Sequence, residues 1–110
     1  MDVHLVLPET VEFAQTDRYE PEPEAQAGDW SNTWHLSAST TEPAREARYL
    51  AVLLPHREGN RSALPRVELL HGKGAVGVKL IASDGAEDVV AFRTDADAPT
   101  VSCGGLESAG

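Results

Sequence analysis

The chain has 110 residues and a formal net charge of −9. This length fits one domain with a modest core. The acidic balance argues against nucleic acid as a partner, because a phosphate backbone requires a basic surface. No stretch approaches the roughly 20 apolar residues of a membrane-spanning helix, so we expect no membrane partner. Nothing near Met1 resembles a signal peptide.

The charges are unevenly distributed along the sequence. Eight carboxylates but only one base, Arg18, lie within residues 1–29, whereas residues 45–93 hold eight bases and six acids. An acidic N-terminal arm and a nearly neutral body are therefore expected. Cys103 is the only cysteine, which excludes an internal disulfide and is compatible with either cytosol or periplasm.

The N-terminal third contains two short apolar segments and a long acidic one. Val3–Leu7 is stopped by Pro8 and predicts a first strand, and Val11–Ala14 predicts a second. Residues 16–32 include alternating prolines and glutamates, a pattern that cannot pair inside a sheet. We expect an acidic Pro/Glu-rich loop there that is poorly ordered or loosely packed.

Two further strands are predicted in the middle of the chain. Trp34–Thr40 alternates apolar and polar side chains, which indicates a half-buried strand with Trp34 in the core. Arg48–Leu54 is apolar on both faces from Tyr49 onward, which favours a central strand covered on both sides. Only Glu42–Arg48 could form a helical turn.

Three strands separated by turn residues follow. They are Val67–His71, Ala75–Ile81 and Asp88–Arg93, with glycine-containing turns between them. Residues 94–110 form a small polar tail in which only Val101 is expected to contact a strand. The spacing predicts one all-β domain over residues 1–110, an antiparallel β-sandwich of about 6–8 short strands. The expected core comprises Leu36, Leu50, Val52, Leu54, Leu69, Val76, Val78, Leu80, Val90 and Phe92.

The residues that carry chemistry form no recognisable catalytic pattern. The four histidines lack zinc-pair spacing, and no serine stands in a nucleophile motif. We therefore predict no catalytic residue, metal or cofactor. The least ordinary group is His56 with Arg57, which together could bind a sugar carboxylate or sulfate; alternatively, Arg57 pairs with Glu58 or Glu68 and only fixes the loop. Trp30 could stack on a sugar ring.

The second half of the chain carries a family resemblance. RYLAVLLPHREG at residues 48–59, EDVVAFR at residues 87–93 and the strand-like VELLH and GAVGVKL between them resemble the C-terminal β-sandwich of heparinase II/III-like polysaccharide lyases. The resemblance covers roughly residues 34–93. It carries no catalytic motif of these enzymes, which eliminate uronic-acid-containing polysaccharides.

The resemblance implies a non-catalytic accessory domain that packs against lyase catalytic domains in cis and braces them. The chain by itself is then not an enzyme, and the parent enzyme would be periplasmic or secreted. The alternative is a stand-alone β-sandwich module that binds carbohydrate, including acidic polysaccharide through Trp30, His56 and Arg57, or binds another protein.

Overall fold

The computed structural model describes residues 1–17 and 34–109. Nine short strands and one 3-10 helix make up the regular structure of this part of the chain. The strands are β1 (Asp2–Leu7), β2 (Val11–Thr16), β3 (His35–Thr40), β4 (Leu50–Leu54), β5 (Arg66–His71), β6 (Ala75–Ile81), β7 (Glu87–Arg93), β8 (Thr100–Cys103) and β9 (Leu106–Ala109). The 3-10 helix covers Arg61–Ala63.

The strands form four small sheets. β1 pairs with β4, β2 with β3, and β8 with β9, while β5, β6 and β7 form a three-stranded sheet in that order. Contacts divide the chain into two compact units. The larger unit contains residues 1–6 and 50–110, and the smaller contains residues 7–49.

The three-stranded sheet is an antiparallel meander with β6 at its centre. Arg66 lies opposite Ile81 in the β5–β6 pair, and Ala75 lies opposite Arg93 in the β6–β7 pair. The Asp-Gly turn that the sequence predicts joins β6 to β7. There the Ala86 amide donates to the Asp84 carboxylate over 2.9 Å, and Gly85 adopts a φ of +86°, which glycine reaches without a steric penalty.

The most buried cluster of the larger unit lies between β6 and β8. Ala75, Val101 and Cys103 are buried there, and Leu70, Ala91 and Ala98 pack around them. β8 is held in place by backbone hydrogen bonds in both directions between Lys73 and Ser102, at 2.9 and 3.1 Å. The tail after Thr94 therefore supplies a hairpin and two buried side chains to the core.

The all-β prediction is confirmed, and β1 to β7 lie close to their predicted positions. The expectation of a small polar tail over residues 94–110 is wrong, because β8 and β9 form a hairpin there. Residues 42–48, the only stretch that the sequence would allow to form a helical turn, are irregular. The acidic arm lies almost wholly outside the described residues. No helix in residues 1–17 and 34–109 is long and apolar enough to cross a membrane.

The sequence prediction was wrong about which apolar side chains are buried. Leu36, Val90 and Phe92 were expected in the core, but they are 55%, 45% and 50% exposed. β4 is not covered on both sides either, since Leu53 is 56% exposed and Tyr49 lies exposed before the strand. The physical reason is that each small sheet leaves part of its apolar surface open to solvent, and a strand's own pattern cannot specify a covering layer.

Candidate functional site

An apolar face on the β2–β3 ribbon is the first candidate site. In this antiparallel pair Phe13 lies opposite Ala38, and Gln15 lies opposite Leu36. Because side chains alternate along a strand, Phe13, Leu36 and Trp34 belong to one face. They are 58%, 55% and 65% exposed. We call these three residues the ribbon face.

The exposure of Trp34 corrects the prediction that this side chain packs in the core. The predicted alternation is present, since His35, Ser37 and Ser39 occupy the opposite side of β3. What is missing from the described part of the smaller unit is a second layer over the apolar side. Trp30, the other tryptophan singled out by the sequence, lies outside the described residues.

A polar cluster in the larger unit joins the start of β1 to the loop after β4. Nε of Arg61 donates to Oδ2 of Asp2 over 2.9 Å, and Nε2 of His56 lies 3.5 Å from Oδ1 of the same carboxylate. The side chains of His56 and Asp2 are only 16% and 22% exposed, whereas that of Arg61 is 79% exposed. Pairing of β1 with β4 brings these groups together.

The cluster changes the acidity of its carboxyl group. Partial burial by itself would raise the pKa of Asp2, because it disfavours the charged form. The hydrogen bonds and the charges of Arg61 and His56 act in the opposite direction and outweigh burial. The pKa of Asp2 therefore lies below its ordinary value of 3.8, so the carboxylate stays ionised at neutral pH.

This geometry bears on the predicted sugar site at His56 and Arg57. Nδ1 of His56 lies 3.0 Å from the carbonyl oxygen of Arg57, and Nε2 faces Asp2, so both ring nitrogens are directed at the protein itself. The Arg57 residue is exposed. Within the described residues Arg57 forms no ion pair with Glu58 or Glu68. Glu68 pairs instead with Arg66 over 2.9 Å.

Arg93 has a structural position at the end of β7. Its Nη1 donates to the carbonyl oxygens of Ala98 over 2.7 Å and of Asp95 over 3.4 Å. The guanidinium thereby holds the segment that leads from β7 to β8. It also borders a cavity of about 370 Å³, which is lined by Phe92, Val101, Cys103 and Leu106 among others. Among the described residues that line this cavity, Glu107 is the single carboxylate and none is a histidine.

A more open cleft of about 520 Å³ adjoins the β5–β6 and β8–β9 turns. His71, Lys73 and Glu107 contribute its charged or titratable side chains. In residues 1–17 and 34–109 no group of three or more His, Cys, Asp or Glu side chains is placed to hold a metal ion.

Several of these residues were missed by reasoning from the sequence. Asp2 and Arg61 are 59 residues apart, and no spacing rule connects them. The exposure of the ribbon face was missed because the alternation of side chains reveals the two faces of a strand but not which of them is covered. Comparisons of the chain with protein-family models, curated proteins and solved structures found no match.

Proposed function

We propose that this chain is a non-catalytic accessory module that docks against the catalytic domains of a heparinase II/III-like polysaccharide lyase and braces them. The proposal joins the resemblance of residues 34–93 to one structural observation, the exposure of Phe13, Trp34 and Leu36 on the ribbon face. Contiguous exposed apolar surface is typical of a surface that another protein or domain covers. We also propose that the small sheets pack together as an antiparallel β-sandwich.

The chemistry of the described residues supports a role without catalysis. General acid–base catalysis needs a titratable side chain placed within hydrogen-bond reach of the reacting group of a substrate. The cluster of Asp2 with His56 and Arg61 is an internal ion-pair network. The two cavities near β8 share one carboxylate, Glu107, and the more open one adds His71 and Lys73. Within the described residues no hydrogen bond or ion pair joins these three side chains.

The docking test uses the catalytic part of a heparinase II/III-like lyase from which the C-terminal sandwich has been removed. Calorimetric titration with this chain should show saturable binding with a negative heat-capacity change, because apolar surface is buried. Leu36→Ser should weaken binding at least about tenfold, a loss of about 1.4 kcal/mol. The matched control Leu53→Ser changes an equally exposed leucine in the larger unit and should bind as the wild type does. Absence of binding by the wild-type chain would contradict the proposal.

An assay on the chain alone tests the non-catalytic part. Incubation with heparan, alginate and related uronides should produce no ultraviolet absorbance from unsaturated product. A protein-dependent rise that disappears in a His56→Ala variant would contradict this expectation.

A carbohydrate-binding module is the second candidate, and the exposure of Trp34 favours it. An exposed indole can stack on a sugar ring. However, Glu12 and Asp17 lie on or next to β2, and Glu42 and Glu46 follow β3, so the local charge disfavours an acidic polysaccharide. Arg57 in the larger unit is the more suitable group for an acidic sugar.

Tryptophan fluorescence separates the two candidates. Titration with neutral and acidic oligosaccharides should leave the emission of the wild-type chain unchanged if the module only docks to protein. Quenching that is lost in Trp34→Ala would establish sugar stacking on the ribbon face. Quenching that depends on salt and is lost in Arg57→Ala would establish the acidic-sugar site.

A further inference from the structure

The outer edge of β7 is a second candidate binding surface, and its residues are distinct from those of the ribbon face. β7 is an edge strand of the three-stranded sheet. Its Val90 and Phe92 side chains are 45% and 50% exposed. Edge strands present unpaired N–H and C=O groups, and proteins usually protect them from pairing with another chain.

The hydrogen-bond pattern shows which backbone groups of β7 face outward. The Ala82 amide donates to the Ala86 carbonyl at one end of the β6–β7 pair, and the Thr94 amide donates to the Gly74 carbonyl at the other. Hydrogen-bonded pairs alternate along an antiparallel ladder. With the observed register, the residues of β7 that bond to β6 are therefore Asp88, Val90 and Phe92.

The amides and carbonyls of the four alternate residues, Glu87, Val89, Ala91 and Arg93, consequently point away from β6. In the described part of the chain these outward groups have no backbone partner. The segment after Arg93 does not cover them, because the amides of Thr94 and Asp95 both donate to Gly74, at 2.9 and 3.2 Å. Those bonds direct the chain toward the β6 side of the strand.

The sequence of this edge is complementary to itself. If two copies of EDVVAFR lie antiparallel with Val90 opposite Val90, then Glu87 of each copy lies opposite Arg93 of the other. In the same register Val89 lies opposite Ala91, so every outward-pointing residue meets another outward-pointing residue. Opposite charges placed directly across a ladder stabilise the pairing, whereas like charges destabilise it. Within one copy Glu87 already pairs with Lys79 over 3.2 Å and Arg93 already donates to the Ala98 carbonyl, so the charges across the interface add to these contacts and do not replace them.

The same register places apolar side chains together on the sheet face that carries Val90 and Phe92. Val90 and its symmetry mate form a pair without direct hydrogen bonds, in which side chains approach most closely. Val78 and Val76 of β6 lie opposite Val90 and Phe92, so the apolar strip of one sheet would continue into the sheet of the second copy. A two-fold axis through Val90 satisfies the requirement that a symmetric dimer interface be self-complementary.

We propose that the chain forms a homodimer in which the β7 strands of two copies pair antiparallel about Val90, joining two three-stranded sheets into one six-stranded sheet. The partner is a second copy of this chain, because the strand paired with itself about Val90 sets outward-pointing backbone groups against each other, brings Val90 against Val90 and places no like charges opposite each other. The proposal does not depend on the accessory role, since the ribbon face belongs to a different unit of the chain.

Sedimentation equilibrium of the full chain, between about 1 and 300 µM, measures the dimer directly. We expect concentration-dependent dimerisation of the wild type. Val90→Lys should raise the dissociation constant at least about tenfold, because two ammonium groups would face each other at the symmetry axis. The matched control Leu53→Lys adds the same charge at an exposed position of β4 and should leave dimerisation unchanged. A wild type that stays monomeric, or a Val90→Lys variant that dimerises as the control does, overturns the proposal.

Disulfide cross-linking tests the register independently of affinity. In the proposed pairing the two copies of residue 90 have Cα atoms about 4.5 Å apart, which suits a disulfide bond. Residue 88 lies opposite residue 92 of the other copy, so the two copies of residue 88 are about 13 Å apart at roughly 3.3 Å per residue. Under mild oxidation V90C should form covalent dimers and D88C should not. Both variants retain the buried Cys103, which makes them a matched pair. Equal cross-linking, or none with V90C, overturns the register.

Discussion

Gly77 at the centre of β6 lies against Cys103 of β8. A Cβ atom built on this glycine would stand 3.3 Å from the Cys103 sulfur and would also overlap the Val90 carbonyl oxygen. β6 can therefore lie this close to β7 and β8 only because Gly77 has no side chain. Around it Ala75, Val101 and Cys103 form the buried cluster of the larger unit.

Gly77→Ala should destabilise the larger unit by about 1–3 kcal/mol, the usual cost of overpacking. Its clearest effect should be on the Cys103 thiol, which is 4% exposed. We expect thiol labelling of the folded protein to accelerate about tenfold or more. Lowering the free energy of local opening around Cys103 by about 1.4 kcal/mol gives that factor. Gly85→Ala is the control. It strains a turn at φ +86° but meets no atom within 4 Å, so labelling of Cys103 should change much less. If both variants accelerated the labelling of Cys103 equally, the effect would not come from the contact between residue 77 and Cys103.

Val101→Ala tests whether the C-terminal hairpin belongs to the core. Val101 is 6% exposed, and its truncation should lower the free energy of unfolding by about 2 kcal/mol from lost burial and the resulting cavity. Leu106→Ala on β9, where the side chain is 47% exposed, should cost less than about 1 kcal/mol. Urea unfolding measures both values. A negligible effect of Val101→Ala would show that the hairpin is only loosely attached.

Asp2 should make the stability of the protein depend on pH in the acid range. Its folded-state pKa lies below the ordinary value of 3.8, so it contributes stability that is present above that value and is lost as the pH falls through the folded-state pKa. Asp2→Asn should therefore be less stable than the wild type at about pH 6, and the difference should shrink toward zero at about pH 2. Thermal unfolding at a series of pH values checks this. A difference that does not change with pH would rule out the ionised carboxylate as its source.

The acidic arm should be dispensable for folding. Its prolines and glutamates offer little apolar surface, while ordering each residue costs roughly 1–2 kcal/mol of backbone entropy. Replacing residues 20–26 by a short Gly-Ser linker should lower the melting temperature by only a few degrees, the equivalent of roughly 1 kcal/mol or less. A loss of several kcal/mol would show that the arm packs on the domain and would make Tyr19 the first residue to mutate.

The sequence by itself determined where the strands and turns up to residue 93 lie. Residues 75–81 were predicted as a strand with its observed limits, and the Asp84-Gly85 turn was predicted from two residues. Both features depend on local physics. Alternation sets the two faces of a strand, and glycine permits the backbone of the turn.

Only the tertiary structure decided which apolar side chains are buried and which polar groups meet. Phe92 and Trp34 follow the alternation of buried residues, yet both are exposed, because burial depends on a covering layer that the strand itself does not encode. The β8–β9 hairpin contributes Val101 and Cys103 to the buried cluster, although its short strands are too polar to reveal that role. Asp2 and Arg61 came together because β1 pairs with β4. Pairing between distant segments is a property of the whole chain, and no local pattern specifies it.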